Sequence, residues 1–457
     1  MKIRACMTGF LMLIFYMSIE SHAQTLSTLA NFNGTNGSEP MATLTLDGNG
    51  NLYGTTRGGG NLYGVGTVFK LTTNGTLTTV VSFDGTNGAN PQQPLILLNN
   101  TLYGTAGSYF GGTIFSVNTD GSYFTNFFNF DPDPLYGSGV YGPIGILLSS
   151  NTFYGTTSEG GIAYGASGDG GIFSINANGA NFTTLFGFDG IDGGESQGSL
   201  ILSGNTLYGV CGLGGSWGAG TVFAINTDGT SFTNLCSFTG SDGISPQAGL
   251  ILSGNTLYGT ASRGGYYNAG TIFSVNTDGT DFKTLYNFTG RNDGSGLSCS
   301  LLLLGNTLYG TAPYGGSNNN GTVFEINTNG TAFKVLHAFM AKSPLGSTFG
   351  TNSDGASPAG GLILSGNTLY GTAMYGGAYG EGTVFALSMP IPTLGINTFS
   401  NQIILTWPTS AANFRLLTSP DLLNWNTATN GITIVGSNYT FTNSMNGHAE
   451  FFRLQTQ

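Results

Sequence analysis

Charged residues are scarce in this chain. Only 7% of its 457 residues are Asp, Glu, Lys or Arg, whereas an average soluble domain has roughly 25%. The chain has 11 basic and 22 acidic residues, so it lacks the basic surface that contacts with nucleic-acid phosphates require. With 39% hydrophobic and 12% aromatic residues, the composition also differs from that of a disordered chain. We therefore expect a folded protein that does not bind nucleic acid.

Histidine and cysteine, which supply much of nucleophilic and zinc chemistry, are almost absent. The sequence has three His and four Cys, with neither a His-Glu-x-x-His nor a Cys-x-x-Cys motif. Cys211, Cys236 and Cys299 form an odd, sparse set, which is not a disulfide framework. His337 falls in a predicted strand, where a structural role is the simpler interpretation. The sequence therefore assigns no catalytic residue.

Long hydrophobic runs are missing except at the amino terminus. Lys2 and Arg4 precede the apolar residues 6–18, and the small Ala23 follows, a pattern that predicts a secretory signal peptide at residues 1–23. An uncleaved membrane anchor is the alternative. No other apolar stretch approaches the roughly 18 residues of a membrane span, and no sorting tail is seen. We expect a secreted or periplasmic monomer with no membrane span in its mature part, and cell-surface attachment stays open.

Residues that favour helices are few, and the chain is rich in Gly, Thr and Asn instead, which argues against helices. The 77 Gly residues lack the three-residue period of collagen. Many of these glycines are instead part of repeats much longer than three residues. A Leu-Tyr-Gly motif, once Phe-Tyr-Gly, has its Tyr at positions 53, 103, 154, 208, 258, 309 and 370. A Gly-Thr-Val/Ile-Phe motif, which in the third repeat is Gly-Gly-Ile-Phe, has its Phe at 69, 115, 173, 223, 273, 324 and 385. A further Phe ends each unit, at 32, 83, 130, 188, 238, 288 and 339.

Each repeat predicts four antiparallel strands. In one unit they fall at residues 249–252, 256–260, 270–276 and 281–288, separated by turn residues such as Ser-Gly-Asn. A four-stranded unit cannot bury both its faces alone, and radial repetition in a β-propeller solves this problem. A lone strand at 26–32 precedes the first unit, and the last unit has only three strands. The prediction is a seven-bladed β-propeller at 24–389 with 3+1 strand closure. An open solenoid is the alternative.

The carboxyl-terminal part of the chain has a different pattern. Pro390 and Pro392 mark a linker at residues 390–393. Several short apolar strands follow, and they predict a small β-sandwich at 394–457 with Trp407 and Trp425 in or near its core. The complete prediction is thus all-β, with a seven-bladed propeller followed by a small sandwich domain.

The repeated unit resembles a known family. Its signature is Gly-Asn-Thr-Leu-Tyr-Gly-Thr-Ala at residues 254–261, followed by Gly-Gly and then by Gly-Thr-Ile-Phe. This is similar to the GloVer-type tandem repeat of bacterial exported proteins described as choice-of-anchor proteins. The resemblance covers residues 26–388 and implies a propeller related in appearance to kelch repeats. It implies no defined activity. The tail resembles a short terminal β-module of such proteins and is loosely similar to fibronectin type III.

The loops sort into two faces. Turns between the first and second and between the third and fourth strands are short and uniform, whereas the other loops are long and variable, and variable loops commonly carry function. The predicted ligand-binding residues there are Arg57, Trp217, Arg263, Tyr314 and Tyr375. In the sequence Arg57 and Arg263 occupy equivalent positions before Gly-Gly, and Tyr314 and Tyr375 share that position. Flat rings beside hydrogen-bonding groups suit sugars or a protein surface, although loop-to-loop packing is the alternative for each ring.

Acidic residues in the blade-to-blade loops are the remaining candidates for a functional site. Asp189, Asp192 and Asp242 are the predicted calcium ligands, and calcium is the only cofactor that the sequence suggests. Further Asp residues in these loops are at 131, 133, 293 and 354. No loop shows the EF-hand pattern, and Asp-Gly turns without metal are the alternative.

Three functions remain open on the sequence alone. The first is an exported, non-enzymatic binding or interaction protein with a glycan or protein ligand on the variable-loop face. The second is a carbohydrate-active enzyme, a hydrolase or lyase, that uses two loop carboxylates. The third is a structural envelope protein. Because ionisable groups are so few, the sequence favours the first and third over the second.

Overall fold

The computed structural model describes residues 5–8, 11–14, 24–72, 74–108, 111–130, 143–158, 169–344, 349–390, 392, 394–400, 402–408, 414–420, 423–436, 438–444 and 450–456. Every regular element in these ranges is a β-strand. No helix in them is long and apolar enough to cross a membrane. The predicted signal segment lies mostly outside the described residues. Within it, β1 (Ala5–Thr8) pairs with β2 (Leu11–Ile14) as a small antiparallel hairpin.

Seven four-stranded antiparallel sheets follow one another along the described chain. They are preceded by β3 (Leu26–Asn31). Sheet 1 contains β4 (Thr45–Leu46), β5 (Leu52–Thr56), β6 (Thr67–Leu71) and β7 (Leu77–Ser82). Sheet 2 contains β8 (Ile96–Leu98), β9 (Thr101–Ser108), β10 (Gly111–Asn118) and β11 (Thr125–Phe130). Sheet 3 contains β12 (Pro143–Ser149), β13 (Thr152–Thr157), β14 (Gly171–Asn176) and β15 (Thr183–Gly187).

The remaining sheets repeat this plan. Sheet 4 contains β16 (Ile201–Ser203), β17 (Thr206–Cys211), β18 (Thr221–Asn226) and β19 (Thr233–Ser237). Sheet 5 contains β20 (Ile251–Ser253), β21 (Thr256–Ala261), β22 (Thr271–Asn276) and β23 (Lys283–Asn287). Sheet 6 contains β24 (Leu302–Leu304), β25 (Thr307–Ala312), β26 (Thr322–Asn327) and β27 (Lys334–Ala338). Sheet 7 contains β28 (Ile363–Ser365), β29 (Thr368–Ala373) and β30 (Thr383–Ser388), and its fourth strand is β3.

The amino-terminal strand pairs with the last strand of the repeat region. In sheet 7, Leu26 lies opposite Leu387 and Asn31 lies opposite Thr383. A channel of about 280 Å³ is lined by the residues that lead into the first strand of six sheets and by Ile144 near the start of β12 in the remaining one. The sheets therefore surround a common axis with their first strands innermost, which is the arrangement of a β-propeller. The predicted all-β propeller fold is confirmed.

The first two sequence motifs meet across neighbouring strands of each sheet. The Gly of Leu-Tyr-Gly lies directly opposite the Phe of the next motif, as Gly259 does opposite Phe273. A Cβ atom at Gly259 would lie 2.4 Å from Cζ of Phe273, because the ring covers the glycine. All seven repeats show this pairing, at Gly54, Gly104, Gly155, Gly209, Gly259, Gly310 and Gly371. The two motifs recur together because the Phe ring of the second fills the space beside the glycine of the first, which has no side chain.

The third repeated Phe joins one sheet to the next. Phe238, at the end of sheet 4, packs edge-on against Phe273 of sheet 5, with ring centroids 5.0 Å apart. Equivalent contacts join the other neighbouring sheets. Phe32 of sheet 7 makes the same contact with Phe69 of sheet 1, at 5.1 Å. Each such Phe is buried, so the interfaces between sheets form the hydrophobic core of the propeller.

Strand boundaries in the fifth unit differ slightly from the prediction. The first strand is Ile251–Ser253 rather than 249–252, because Gly249 packs closely against the inner strands of neighbouring sheets near the axis. The fourth strand begins at Lys283 rather than Asp281. Asp281 has a φ of 56°, so it belongs to the turn.

The carboxyl-terminal residues form two further sheets. One contains β31 (Gly395–Phe399), β32 (Gln402–Pro408), β35 (Ile432–Val435) and β36 (Asn438–Ser444). The other contains β33 (Phe414–Ser419), β34 (Asn426–Thr427) and β37 (Phe451–Thr456). Leu405, Trp407, Leu416 and Phe452 are buried together between them, as a β-sandwich requires. Trp425 lies at the edge of this core, half-buried beneath the guanidinium of Arg453.

Candidate functional site

One face of the propeller carries the loops between second and third strands together with the links between sheets, and we call it the loop face. Its backbone repeats from sheet to sheet. After each second strand the chain bridges the link that leads into the first strand of the same sheet. The described bridges are Ser38 with Gly58, Ala89 with Gly107, Gly194 with Leu213, Ile244 with Arg263, Ser295 with Tyr314, and Ala356 with Tyr375. The equivalent residues of sheet 3 lie outside the described part.

The link residue after each bridge turns the chain back over the axis. It adopts a left-handed conformation, with φ between 47° and 55° in the non-glycine cases, Glu39, Asn90, Glu195, Ser245 and Ser357. In sheet 6 the residue is Gly296, with φ 76°. Non-glycine residues in this region carry a cost of order 1–3 kcal/mol each, so the surrounding structure holds the rim of the axis in a fixed shape.

The bridges define which rim residues are equivalent. Gly58, Gly107, Leu213, Arg263, Tyr314 and Tyr375 occupy one position in their sheets. The equivalence of Arg57 and Arg263 expected from the sequence is therefore wrong by one residue. Thr56 and Ala261 both end their second strands, so Arg57 corresponds to Ser262. The error arose because blade 1 has three glycines in a row after Arg57, and the sequence alone does not show which pair is equivalent.

A cavity of about 970 Å³ opens on the loop face above the axial channel. Three of the five predicted ligand residues, Arg263, Tyr314 and Tyr375, line it. Leu213 lies at the same rim position in the preceding sheet, so sheets 4 to 7 contribute one side chain each to a continuous arc. Polar groups complete the lining, namely Glu195, Ser245, Gln247, Ser262, Asn268, Ser295, Ser298 and Ser357.

The two tyrosines are held differently. The Tyr314 ring lies over Gly296, where a Cβ atom would be 2.7 Å from Cδ2 of the ring, and 57% of Tyr314 is exposed. The ring of Tyr375 is half-buried, with the Lys342 ammonium 5.4 Å from its centroid and the edge of Phe349 against it. Burial raises the pKa of Tyr375, and the nearby Glu39 carboxylate adds to the rise. The Tyr375 phenol is therefore a neutral hydrogen-bonding group near pH 7.

The two predicted arginines have different surroundings. Arg57 pairs with Glu39 at 3.2 Å and is not part of the cavity lining. Arg263 is exposed, and its guanidinium has no carboxylate within ion-pair distance among the described residues. Ser245 stands in sheet 5 where Glu39 stands in sheet 1. The only described anion in the cavity lining is Glu195.

Trp217 lies away from the cavity. It occupies the tip of the loop between β17 and β18, where 72% of it is exposed. Leu62, Tyr267 and Tyr379 are exposed near the tips of the corresponding loops of sheets 1, 5 and 7. Three more loop aromatics that the sequence indicates, Tyr109, Phe110 and Tyr164, lie outside the described residues. The structure therefore places Trp217, like Arg57, outside the cavity that Arg263, Tyr314 and Tyr375 line.

The axial channel below the cavity is polar and nearly free of ionisable groups. Gln92, Gln93, Gln197 and Gln247 line it together with serines and backbone atoms. Cys299 is the only titratable side chain in this described lining, and burial raises the pKa of its thiol. All three described cysteines are free.

The predicted calcium ligands accept hydrogen bonds from backbone amides of their own loops. Asp189 accepts hydrogen bonds from the Ile191 and Asp192 amides, which lowers its pKa. Asp192 accepts from the amide of Asp189, while burial raises its pKa. Asp242 accepts from the amide of Thr239 at 2.8 Å. Within the described ranges no group of three or more His, Cys, Asp or Glu side chains is placed to hold a metal. Asp131 and Asp133 lie outside these ranges, and the calcium site stays a prediction.

The two remaining loop carboxylates have similar partners. Asp293 accepts from the Thr289 amide and hydroxyl, and Asp354 accepts from the amide of Met340. His337 Nε2 lies 2.9 Å from the Asp354 carboxylate, and its ring packs edge-on against Phe339. The surroundings of His337 are thus those of a structural residue in a fourth strand.

Sequence reasoning missed Glu195 and the serines of the cavity lining. A regular spacing in the sequence does point to residues of the rim. The left-handed rim residue follows the repeated Phe by seven positions in sheets 1, 2, 4 and 5, as Glu195 follows Phe188. Counting from that Phe would have placed Glu39, Asn90, Glu195 and Ser245 on the rim.

Comparison with solved structures finds the same fold in proteins of very different sequence. An oligogalacturonate lyase from Vibrio parahaemolyticus matches with a TM-score of 0.51 and 8% identity, over 81% of this chain and 96% of that one. An oligogalacturonate lyase in complex with manganese matches with a TM-score of 0.50 and 11% identity, over 81% and 98%. A puromycin-hydrolyzing peptidase from Mycobacterium tuberculosis matches with a TM-score of 0.50 and 12% identity, over 85% and 61%. These likenesses show a propeller-type fold alone.

Comparison by sequence identifies the family. None of the curated proteins compared with the chain matches it. The family model of the Gloeobacter/Verrucomicrobia repeat matches twice, at residues 13–223 and 163–385, which together span well over half of the chain. The resemblance expected from the repeated motifs is confirmed, and the chain belongs to the Gloeobacter/Verrucomicrobia repeat family.

Proposed function

We propose that this protein is an exported binding protein whose ligand, an oligosaccharide, occupies the cavity on the loop face. The observation that carries the proposal is the arc of unlike side chains, Leu213, Arg263, Tyr314 and Tyr375, on a backbone that is otherwise the same in each sheet. Side chains that differ from sheet to sheet on a shared backbone, and that face one cavity, indicate that the cavity is a specific part of the molecule.

The lining favours a sugar over a protein surface. The cavity is concave, and its volume of about 970 Å³ lies near the upper end of the range typical of small-ligand sites, roughly 300–1,000 Å³. Serine hydroxyls, amides and the Glu195 carboxylate supply hydrogen bonds, and Tyr314 supplies an exposed ring. An aromatic face beside several hydrogen-bonding groups matches the alternating apolar faces and hydroxyl edges of sugar rings. A protein partner would meet the exposed loop tips first.

The test is oligosaccharide binding measured by titration calorimetry after a screen on a glycan array. The double variant Tyr314→Ala/Tyr375→Ala is expected to weaken binding by at least about tenfold, because it removes the ring surface of two rim positions. Tyr63→Ala is the matched control, since Tyr63 is an exposed tyrosine of the loop face that does not line the cavity. Trp217→Ala then reports whether the ligand extends to the loop tips.

Unchanged affinity in the double variant would place the ligand elsewhere and reject the cavity as the site. Screening in the presence of calcium and of a chelator tests the predicted metal dependence in the same experiment. Absence of binding to any oligosaccharide would favour the structural envelope function that the sequence left open.

A carbohydrate-active enzyme is the competing proposal. Hydrolysis by paired carboxylates needs two acidic groups roughly 5–10 Å apart, and Glu195 is the single carboxylate among the described lining residues. The arrangement therefore supports binding more than turnover. New reducing ends or unsaturated products from an incubated oligosaccharide, lost in Glu195→Gln, would support the enzyme instead.

We propose export from the cytoplasm on the pattern of residues 1–23, with Lys2 and Arg4 before an apolar run and Ala23 at the expected cleavage point. Mass spectrometry of the protein recovered from the periplasm and the culture medium is the test. A mature chain that begins at Gln24 is expected, and an intact Met1 in membrane-free cytosol would contradict export.

A further inference from the structure

Arg263 carries the only positive charge in the described lining of the cavity. Its backbone is fixed, because Arg263 and Ile244 exchange two hydrogen bonds across the rim, at 2.7 and 3.0 Å. Its side chain has no ion-pair partner within the described part of the chain. A guanidinium that extends from a fixed backbone into the cavity lining, without an internal partner, is available to an anion from outside.

Sheet 1 shows what an internally neutralised arginine looks like in this fold. Arg57 donates to the Glu39 carboxylate at 3.2 Å, and Glu39 is the left-handed rim residue of that sheet. In sheet 5 the left-handed rim residue is Ser245, with the same φ of 54°. The backbone of Ser245 bonds to Ser262, the residue equivalent to Arg57, as that of Glu39 bonds to Arg57 in sheet 1. The rim of sheet 5 therefore has a serine, and no carboxylate, next to Arg263. The chain has 22 acidic residues, and none of the described ones neutralises this arginine.

The neighbours of Arg263 indicate the kind of molecule that carries the anion. Tyr314 occupies the same rim position in the next sheet and rests on Gly296, with much of its ring exposed. Glu195, at the rim of the preceding sheet, accepts hydrogen bonds and repels anions. A ligand in this arc therefore meets a ring surface on one side of Arg263 and a hydroxyl-binding carboxylate on the other.

We propose that the ligand is an acidic oligosaccharide, and that Arg263 binds a carboxylate on one of its sugar rings. This inference rests on the proposed function and specifies its substrate class. The planar guanidinium donates two parallel N–H bonds to a carboxylate, a geometry that lysine does not offer. Tyr314 contacts the sugar ring, and Glu195 accepts hydrogen bonds from its hydroxyl groups.

The charge balance favours a carboxylate over a phosphate group on the sugar. One guanidinium balances one carboxylate charge, whereas a doubly charged phosphate leaves an excess negative charge in the same cavity as Glu195. The chain as a whole has a formal charge of −11, so long polyanions are repelled except where salt screens that charge. A short oligosaccharide that places one uronic-acid carboxylate at Arg263 meets these conditions.

The test compares trisaccharides of uronic acids with their methyl esters, which keep the ring geometry but lose the charge. Trigalacturonate and trimannuronate are titrated into the full chain by calorimetry, each beside its ester and a sulfated neutral trisaccharide. A preferred acid is expected to bind at least roughly tenfold more tightly than its ester, because the charged hydrogen bonds to Arg263 are lost on esterification. High salt is expected to reduce this ratio.

The variant R263Q is expected to remove the preference for the acid, so that acid and ester bind with similar affinity. Arg291→Gln is the matched control, since Arg291 is an exposed arginine of the loop face outside the cavity lining. It is expected to keep the full preference. Because R263K retains the charge without the planar donor pair, an intermediate ratio is expected for it. Thermal denaturation of each variant checks that the fold is intact.

The outcomes separate the two proposals. Equal affinity for acid and ester, or a preference that persists in R263Q, would overturn the role of Arg263 while leaving oligosaccharide binding in place. Tighter binding of the sulfated trisaccharide would overturn the assignment of a carboxylate. Absence of binding to acid, ester and sulfated sugar alike would overturn the proposed function together with this inference.

Discussion

The interior of the sheets and the rim of the cavity follow opposite rules. Inside, every one of the seven repeats has the same Gly and Phe in the same register, as Gly259 and Phe273 illustrate. On the rim, the six described equivalent positions hold Gly, Gly, Leu, Arg, Tyr and Tyr. The backbone at the rim is nonetheless as regular as the interior, with the same bridge and a left-handed residue after it.

This contrast separates what maintains the fold from what distinguishes one sheet from another. The interior contacts are shared, so changing them disturbs the sheet and its neighbour. The rim side chains differ from sheet to sheet, and sheets 1 and 2 have no side chain at this position because they have Gly58 and Gly107. Specificity is therefore free to vary at the rim without loss of the fold. Substitutions at Phe273 and Gly259 test the interior half of this contrast, and substitutions at Asp242 test a link between sheets.

The largest effect is expected from Phe273→Ala. Phe273 is fully buried, covers Gly259 within its sheet and contacts Phe238 of the preceding sheet. Removing the ring leaves a cavity between two sheets, with an expected loss of about 3–5 kcal/mol in the free energy of unfolding. Denaturant unfolding followed by fluorescence measures it. Tyr63→Ala, an exposed change on the loop face, is expected to stay within about 0.5 kcal/mol. Equal losses in the two variants would contradict the distinction between interior and rim.

The interior was predictable from the sequence because its physical requirements repeat. Four short strands per unit, turns rich in Gly and Asn, and three marked aromatic positions together predict a radial β fold. The lone strand at 26–32 predicted the pairing of β3 with β30, which the structure contains. What the sequence did not show is why Leu-Tyr-Gly and Gly-Thr-Val/Ile-Phe occur together, since the contact of Gly with Phe exists only across the strand register.

The rim was only partly predictable, because its side chains do not repeat from sheet to sheet. Arg263, Tyr314 and Tyr375 were identified because arginine and tyrosine stand out in loops of small residues. Glu195 was missed because it resembles any other exposed acid, and its place on the rim depends on the count from Phe188. The alignment of Arg57 with Arg263 failed where three consecutive glycines made two registers possible, and only the bridge between Ser38 and Gly58 resolves them.

A smaller effect of the same kind is expected from Gly259→Ala. The added methyl group would meet Cζ of Phe273 at 2.4 Å and Cδ2 of Leu250 at 2.8 Å, so both side chains must move. Overpacking of this kind costs about 1–3 kcal/mol. The double variant Gly259→Ala/Phe273→Leu is expected to be more stable than the sum of the two single changes predicts, because the smaller side chain makes room for the methyl group.

Gly48→Ala is the matched control for this substitution. Gly48 lies in a turn on the opposite end of sheet 1, without a positive φ, and a Cβ atom there meets nothing within 4 Å. The change is expected to be neutral or to stabilise the protein by up to about 1 kcal/mol, because alanine restricts the unfolded chain. A similar loss at positions 48 and 259 would show that contact with Phe273 does not explain the repeated glycine.

The smallest effect is expected at Asp242, in the link between sheets 4 and 5. Its carboxylate accepts the Thr239 amide at 2.8 Å, and the amide oxygens of Asn36 and Asn87 accept equivalent bonds in earlier links. Asp242→Asn is therefore expected to leave stability within a few tenths of a kcal/mol, whereas Asp242→Ala is expected to cost about 1 kcal/mol through the lost acceptor. Because asparagine replaces aspartate at this position elsewhere in the chain, the link needs an acceptor and no charge.

The same pair of variants tests the calcium prediction. If the carboxylates of Asp189, Asp192 and Asp242 only close turns, millimolar calcium leaves the melting temperature of the wild type unchanged. A rise with calcium that Asp242→Asn abolishes would instead show that the charge is used, since a metal bound to the folded state raises its stability.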